Sequence, residues 1–251
     1  MAKQKGFLPL RGTLGNMTFV RTKDGMLVRE KSSLEADRIK KDPAFERTRE
    51  NMSEFAKAAA GARLLRTAIR ALLKNSFDKK ANQRLIRSMM KVIKSDTTSA
   101  RGFRTLEQGD LEQLKGFQFN EKTPLSSVLP VKITATIDRV SGELTLNLPS
   151  FIPANAIDPP EGSTHFRIIS AGVEINFGKD AFDAITAYSV AIPLNRVATA
   201  PIALKSTLTP ASVHPLMLIA GIEFLQFSND DLYPIKNQAF FALALVQVSV
   251  V

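Results

Sequence analysis

The hydrophobic period changes once along this chain, and that change limits its architecture more than any other feature. From about residue 42 to 94 apolar residues recur three and four positions apart, whereas beyond about 130 they recur at every second position or run continuously. The first spacing lines one face of a helix and the second lines the faces of strands. A chain that keeps the two kinds of block apart reads as α+β.

The runs at 131–138, 143–148, 165–177, 188–194, 202–209, 216–227 and 239–251 predict seven strands separated by turn signals. Together they predict an all-β, immunoglobulin-like sandwich over 123–251. Val140-Ser141-Gly142 joins the first two strands as a hairpin, and Pro149, Pro153, Pro159 and Pro160 confine the next stretch to a loop. The segment AFFALALVQVSVV (239–251) is apolar at nearly every position, so both of its faces must be covered. It is expected as a central strand of the sandwich; the alternative is that it extends a sheet in a neighbouring copy.

Residues 42–122 read as a basic helical region. Asp42 is placed to cap a helix with Pro43 at its first position and Glu46 three further on. Phe55, Ala58, Ala59, Ala62, Leu65, Ile69, Leu72 and Leu73 form one apolar stripe, which Gly61 could divide. Asn75-Ser76 ends it, and Asp78 is expected to cap a second helix carrying Leu85, Ile86, Met89, Met90 and Ile93. So short a break predicts antiparallel neighbours. The polar, glycine-punctuated stretch 95–130 reads as a connector, with a domain boundary near 122.

Residues 1–41 read as a β-hairpin arm. Met17 and Phe19 precede Asp24-Gly25, and Met26 and Val28 follow it, which is the alternation and turn chemistry of a hairpin. Gly12 and Gly15 bracket Leu14, as at a bulge or close backbone approach. Two strands alone are marginal in water, so the arm must lie on its own domain or on a neighbouring subunit.

Charge follows the same division. Residues 1–122 hold 27 basic and 14 acidic side chains against 7 and 10 in the remainder, so the halves carry 27 − 14 = +13 and 7 − 10 = −3. Arg63, Arg66, Arg70 and Lys74 form one row at helical spacing, and Arg84, Arg87, Lys91 and Lys94 form a second. Two such rows can neutralise phosphates of a nucleic acid or dock on an acidic protein surface. The same pattern is also that of a solvated amphipathic helix, whose long Arg stems cover apolar edges.

Other chemistry is hard to find. The chain has no cysteine, which removes disulfides, thiolate metal sites and cysteine nucleophiles. Gly12 and Gly15 lack the following Gly-Lys-Ser/Thr of a phosphate loop, and the two histidines, His165 and His214, have no metal-ligand spacing. Asp230-Asp231 and the pair Asp180 and Asp183 fall in expected turns, where Asp side chains bond local backbone. No run reaches the length of a spanning helix and no secretory signal pattern stands at the start, so the expected setting is cytoplasmic. No internal repeat or low-complexity tract is present.

The opening G-x-x-G-N-x-x-F, made of Gly12, Gly15, Asn16 and Phe19, with Asp24-Gly25 and Arg29-x-Lys31 after it, resembles the start of a group of Bacteroidota proteins. The resemblance continues through DPAFERTREN (42–51) and LLRTAIRALL (64–73). It implies the order hairpin, helices, β-domain, and it brings no established activity and no functional residue. The expectation is therefore a non-enzymatic structural or assembly protein that self-associates as an oligomer or filament through its N-terminal hairpin and strand edges. Neither a cofactor nor a small-molecule substrate is expected. The alternative is a nucleic-acid-binding protein using the two basic rows.

Overall fold

A computed structural model of the chain describes residues 2–4, 10–22, 25–30, 36–74, 78, 80–235 and 242–250. They fall into two compact units, Met1–Asn51 and Met52–Val251.

The first unit is a four-stranded antiparallel sheet followed by short helical turns. Strands β1 (Ala2–Lys3), β2 (Gly12–Leu14), β3 (Met17–Thr22) and β4 (Gly25–Glu30) lie in the order β1-β4-β3-β2. The expected hairpin is the β3–β4 pair, closed by Thr22 opposite Gly25. Gly25 is thus the first residue of β4, and Asp24 of the expected Asp-Gly turn lies outside the described residues, as does Lys31. Gly12 and Gly15 belong to a second hairpin rather than a bulge: Leu14 pairs with Met17, and Gly15-Asn16 is the two-residue turn between them. Gly15 at φ +55° supplies the positive dihedral that such a turn needs at its first position.

After helix α1 (Ala36–Lys41), Asp42 caps a 3₁₀ turn at Pro43–Phe45, its Oδ1 accepting the Ala44 N–H at 2.9 Å. No residue of β2, β3, β4, α1 or this turn is buried.

The second unit has three layers. Its helical layer contains α2 (Glu46–Ala68) from Met52 onward, α3 (Arg70–Leu73) and α4 (Ala81–Ser95). A short helix α5 (Leu125–Val128) leads to β5 (Thr134–Asp138) and β6 (Glu143–Leu148), then α6 (Pro153–Ala156). Strands β7 (His165–Asn176), β8 (Ala181–Tyr188), β9 (Ile192–Pro193), β10 (Ile202–Thr207), β11 (Leu216–Ser228), β12 (Asp231–Pro234) and β13 (Ala242–Ser249) complete it.

The strands form two antiparallel sheets. One has three strands in the order β10-β6-β5; in the other β11 pairs with β7, β12 and β13, and β7 pairs with β8 and β9. The class is therefore α+β, but the division into three and six strands is not the four and three of an immunoglobulin domain. The smaller sheet curls, bringing Ser206 Oγ of β10 to 3.5 Å from the Ile185 carbonyl of β8.

Two-sided burial explains the continuous apolar runs. Ile169, Ala171, Val173 and Ile175 of β7 meet Ala58, Ala62, Leu65, Leu85, Met89 and Ile93 of the helices. Phe166 and Ile168 of the same strand face Leu144, Leu146 and Leu204 of the smaller sheet. β13 is divided likewise, with Leu243 and Leu245 toward the helices and Ala242 and Ala244 toward the smaller sheet. Its C-terminal run is thus a covered strand of this chain, with 239–241 and 251 outside the described residues.

Packing does not stop at residue 122, because the cluster of helical residues includes Ile219 and Leu245. The stretch read as a connector is built in. Gln118 bridges Ala244, the Phe119 N–H bonds the Leu243 carbonyl, and the Leu245 N–H bonds the Phe117 carbonyl. Before it, buried Asp96 accepts the N–H groups of Thr98, Ser99 and Thr105, while buried Glu54 accepts the Gly102 N–H at 2.8 Å.

Three further expectations are corrected. Phe55 is 54% exposed, outside the apolar stripe to which its spacing assigns it. Asp78 does not cap α4, whose N-cap position is Lys80 with no side-chain cap, while Asn75 and Ser76 lie outside the described residues. The run expected as one strand at 188–194 holds only the short β9 and the last residue of β8, which occupies Ala181–Tyr188, so Asp183 sits in a strand rather than a turn. Asp180 does lie in the turn, at φ +51°.

Candidate functional site

Two surfaces stand out, one in each unit. Among the described residues neither brings titratable groups into a cluster of three that could hold a metal ion.

Register defines the first. Phe19 pairs with Val28, Arg21 with Met26, Met17 with Glu30 and Leu14 with Met17. Directly opposed residues in a sheet project to the same side, and alternate residues of a strand share a face. Leu14, Met17, Phe19, Met26 and Val28 therefore lie together on one face. Leu14 is 74% exposed and Met17 56%, and the other three are half-buried. Glu30 stands at one end of this face and Arg21 at the other, both exposed. The opposite face carries Thr13, Thr18 and Arg29 beside Val20 and Leu27.

Of the residues singled out in the sequence, Phe19 belongs to the apolar face, Gly15 and Asn16 form a turn, and Gly12 and Gly25 begin strands. The sequence reading does not place Leu14 on this face, because its place depends on the Gly15-Asn16 turn, and it passes over Arg21 and Glu30, which the β3–β4 register places at the two ends. A glycine followed by asparagine between two short alternating runs is the signal that could have located Leu14.

The helical layer carries the second surface. α2 and α4 bury one side each in the same cluster, so their opposite sides form the layer's outer surface. Arg66 Nη1 donates to Asn82 Oδ1 at 3.0 Å and links the two helices. Arg63, Arg66, Arg70 and Lys74 are exposed, as are Arg87, Lys91 and Lys94.

Arg84 does not belong with them. Its Nη1 donates to the Gln118 carbonyl at 2.9 Å, its Nη2 pairs with Asp78, and its guanidinium lies 5.3 Å from the Phe117 ring centre. With a side chain only 17% exposed, it fastens α4 to the Phe117 segment. Burial pushes the Asp78 carboxyl up, but the bonds from Arg84 and from the N–H groups of Lys80 and Glu121 outweigh it and hold it below the usual range. Arg63 is also engaged, reaching Asp180 at 2.8 Å across an exposed pair. Among the described residues no acidic partner is found for Arg66, Arg70, Lys74, Arg87, Lys91 or Lys94.

Other polar groups bond within the fold. His214 lies 3.1 Å from Asn176 through its Nε2, and His165 lies 3.0 Å from Thr164 Oγ1. Among the described residues no group of three His, Cys, Asp or Glu side chains could hold a metal ion. Arg139 donates to the carbonyls of Ser249, Ser212 and His214, tying the β5–β6 turn to the end of β13. A depression of about 700 Å³ between β5 and β13 is mainly apolar, with Lys115 and Lys132 among its lining residues. No described helix is long and apolar enough to cross a membrane.

No protein-family model, curated protein or solved structure matches this chain.

Proposed function

We propose that this is a non-enzymatic assembly protein that associates with further copies of itself through the apolar face of its N-terminal sheet. The observation that carries the reading is that Leu14, Met17, Phe19, Met26 and Val28 share one sheet face and none of them is buried. Burying such a side chain is worth roughly 1.5–3 kcal/mol. A two-fold contact buries the set twice, which sets a large gain against the about 4–15 kcal/mol lost on association. The face can also suit itself in charge, because a two-fold axis running across the strands would bring Arg21 of one copy near Glu30 of the other. Sheets stacked in this way pack about 10 Å apart with their strands nearly aligned.

Light scattering coupled to size-exclusion chromatography tests the reading. The full chain is expected to run as an oligomer whose mass falls on dilution. A variant carrying Leu14→Thr, Met17→Thr and Phe19→Thr is expected to run as a monomer with unchanged circular dichroism. A full chain that stays monomeric at the highest attainable concentration contradicts the proposal.

A second reading rests on a different observation, the six exposed cations of the helical layer that have no acidic partner among the described residues. It assigns that layer to an anionic partner, with assembly multiplying the contacts by avidity.

A further inference from the structure

We infer that the outer surface of the helical layer binds the phosphate backbone of duplex nucleic acid without reading its sequence. The inference rests on the second reading above and names its partner. Between Phe55 and Ser95 the chain has eleven Lys and Arg and one acid, Asp78. That acid is committed to Arg84, so it does not neutralise the outer surface. Arg66, Arg70 and Lys74 from one side and Arg87, Lys91 and Lys94 from the other supply six cations without an acidic partner among the described residues. Arg87 to Lys94 spans about 10 Å along α4, at about 1.5 Å per residue.

What the surface lacks identifies the partner further. From residue 56 to 102 no large hydrophobic side chain is exposed among the described residues. A protein interface is built around an apolar or aromatic core, and a helix lying in a bilayer inserts apolar side chains. Neither is offered here, which leaves a partner held by charge alone. Single strands are held largely by stacking of bases on aromatic rings. Among the described residues no exposed ring lies between these cations, which favours a paired duplex presenting phosphates rather than base faces.

Six phosphate contacts give a slope of about −5 for log K against log salt, and about a thousand-fold loss of affinity between 50 and 200 mM. Fluorescence anisotropy with two short DNA duplexes of unrelated sequence, across a salt series, reads this directly. Both duplexes are expected to bind equally and with that slope. Arg70→Gln, Lys74→Gln, Arg87→Gln and Lys91→Gln should each flatten it by about one. Arg63→Gln, which removes a cation already paired, should leave the slope within experimental error. Heparin and vesicles of phosphatidylcholine with phosphatidylserine are run in parallel, and circular dichroism confirms that each variant is folded.

Binding to heparin or the vesicles, lost in the same variants, without binding to either duplex overturns the nucleic-acid assignment and leaves the anionic-partner reading standing. Failure to bind any of the three overturns both. Duplex binding that survives all four substitutions together overturns the assignment of this surface.

Discussion

Strands β3 and β7 follow the same period-two rule and end in opposite situations. In β3 the apolar side of Met17–Thr22 is left uncovered, whereas nearly every residue of His165–Asn176 is buried. The difference lies in what is stacked on each sheet. β7 has helices against one face and a curled three-stranded sheet against the other, so even its polar Ser170 is fully buried. Among its described residues the N-terminal sheet has neither layer. Alternation specifies which side of a strand seeks cover, and only the rest of the structure says whether that cover comes from the same chain.

Matched truncations sharpen this contrast. Phe166 is completely buried between the two sheets, and Phe166→Ala should cost the second unit about 3–5 kcal/mol, read as a lower urea midpoint at unchanged slope. Phe19→Ala, the same chemical change on the uncovered sheet, should move that midpoint by under about 0.5 kcal/mol in dilute protein while weakening association. Equal losses at both sites would abolish the distinction between the regions.

Arg84 and Arg87 provide a smaller contrast within the helical layer. Arg84→Ala breaks the bond to the Gln118 carbonyl and strands Asp78, which should cost about 2–3 kcal/mol in urea unfolding. Arg87→Ala should stay within about 0.5 kcal/mol, since the side chain is exposed. The reverse ranking would mean that the exposed row, not Arg84, holds α4 in place.

A third prediction concerns pH. Burial raises the carboxyl of Asp96, but hydrogen bonds from Ser99, Thr98 and Thr105 outweigh it and hold the group well below the ordinary value of 3.8. A group depressed in the folded state contributes its stability above the unfolded pKa and loses it as pH falls toward the folded one. Asp96→Asn should therefore lower the urea midpoint near neutrality, with the deficit relative to wild type shrinking below about pH 4. A deficit that stays constant to about pH 2 would mean that ionisation of Asp96 is irrelevant to the loop it organises.

Much of this was legible locally. Spacing alone placed Ala58, Ala62 and Leu65 of α2, Ile69 at the break after it and Leu72 of α3 in the core, and Leu85, Met89 and Ile93 of α4. What escaped depends on distant partners. Arg84 has the spacing of Arg87, Lys91 and Lys94, and only Phe117 and Gln118, more than thirty positions on, remove it from their row. Strand β8 escapes the spacing because Phe182, Ile185 and Tyr188 are exposed at a sheet edge, which leaves its apolar pattern without a clear inner face. Gly109 looked like loop punctuation, but a Cβ there would lie 2.2 Å from the Val92 carbonyl oxygen, so it marks a tight crossing against α4. At the N-terminal sheet the Gly15-Asn16 turn had to be recognised before Leu14 could join the apolar face.

Hydrogen exchange at the amides of β3 and β4, followed over a series of protein concentrations, tests most directly whether this face is sheltered by another copy. Intermolecular cover predicts protection that rises with concentration and is lost in the Leu14, Met17, Phe19 variant. Protection that is strong and independent of concentration would contradict it, because the sheet would then be completed without a second molecule.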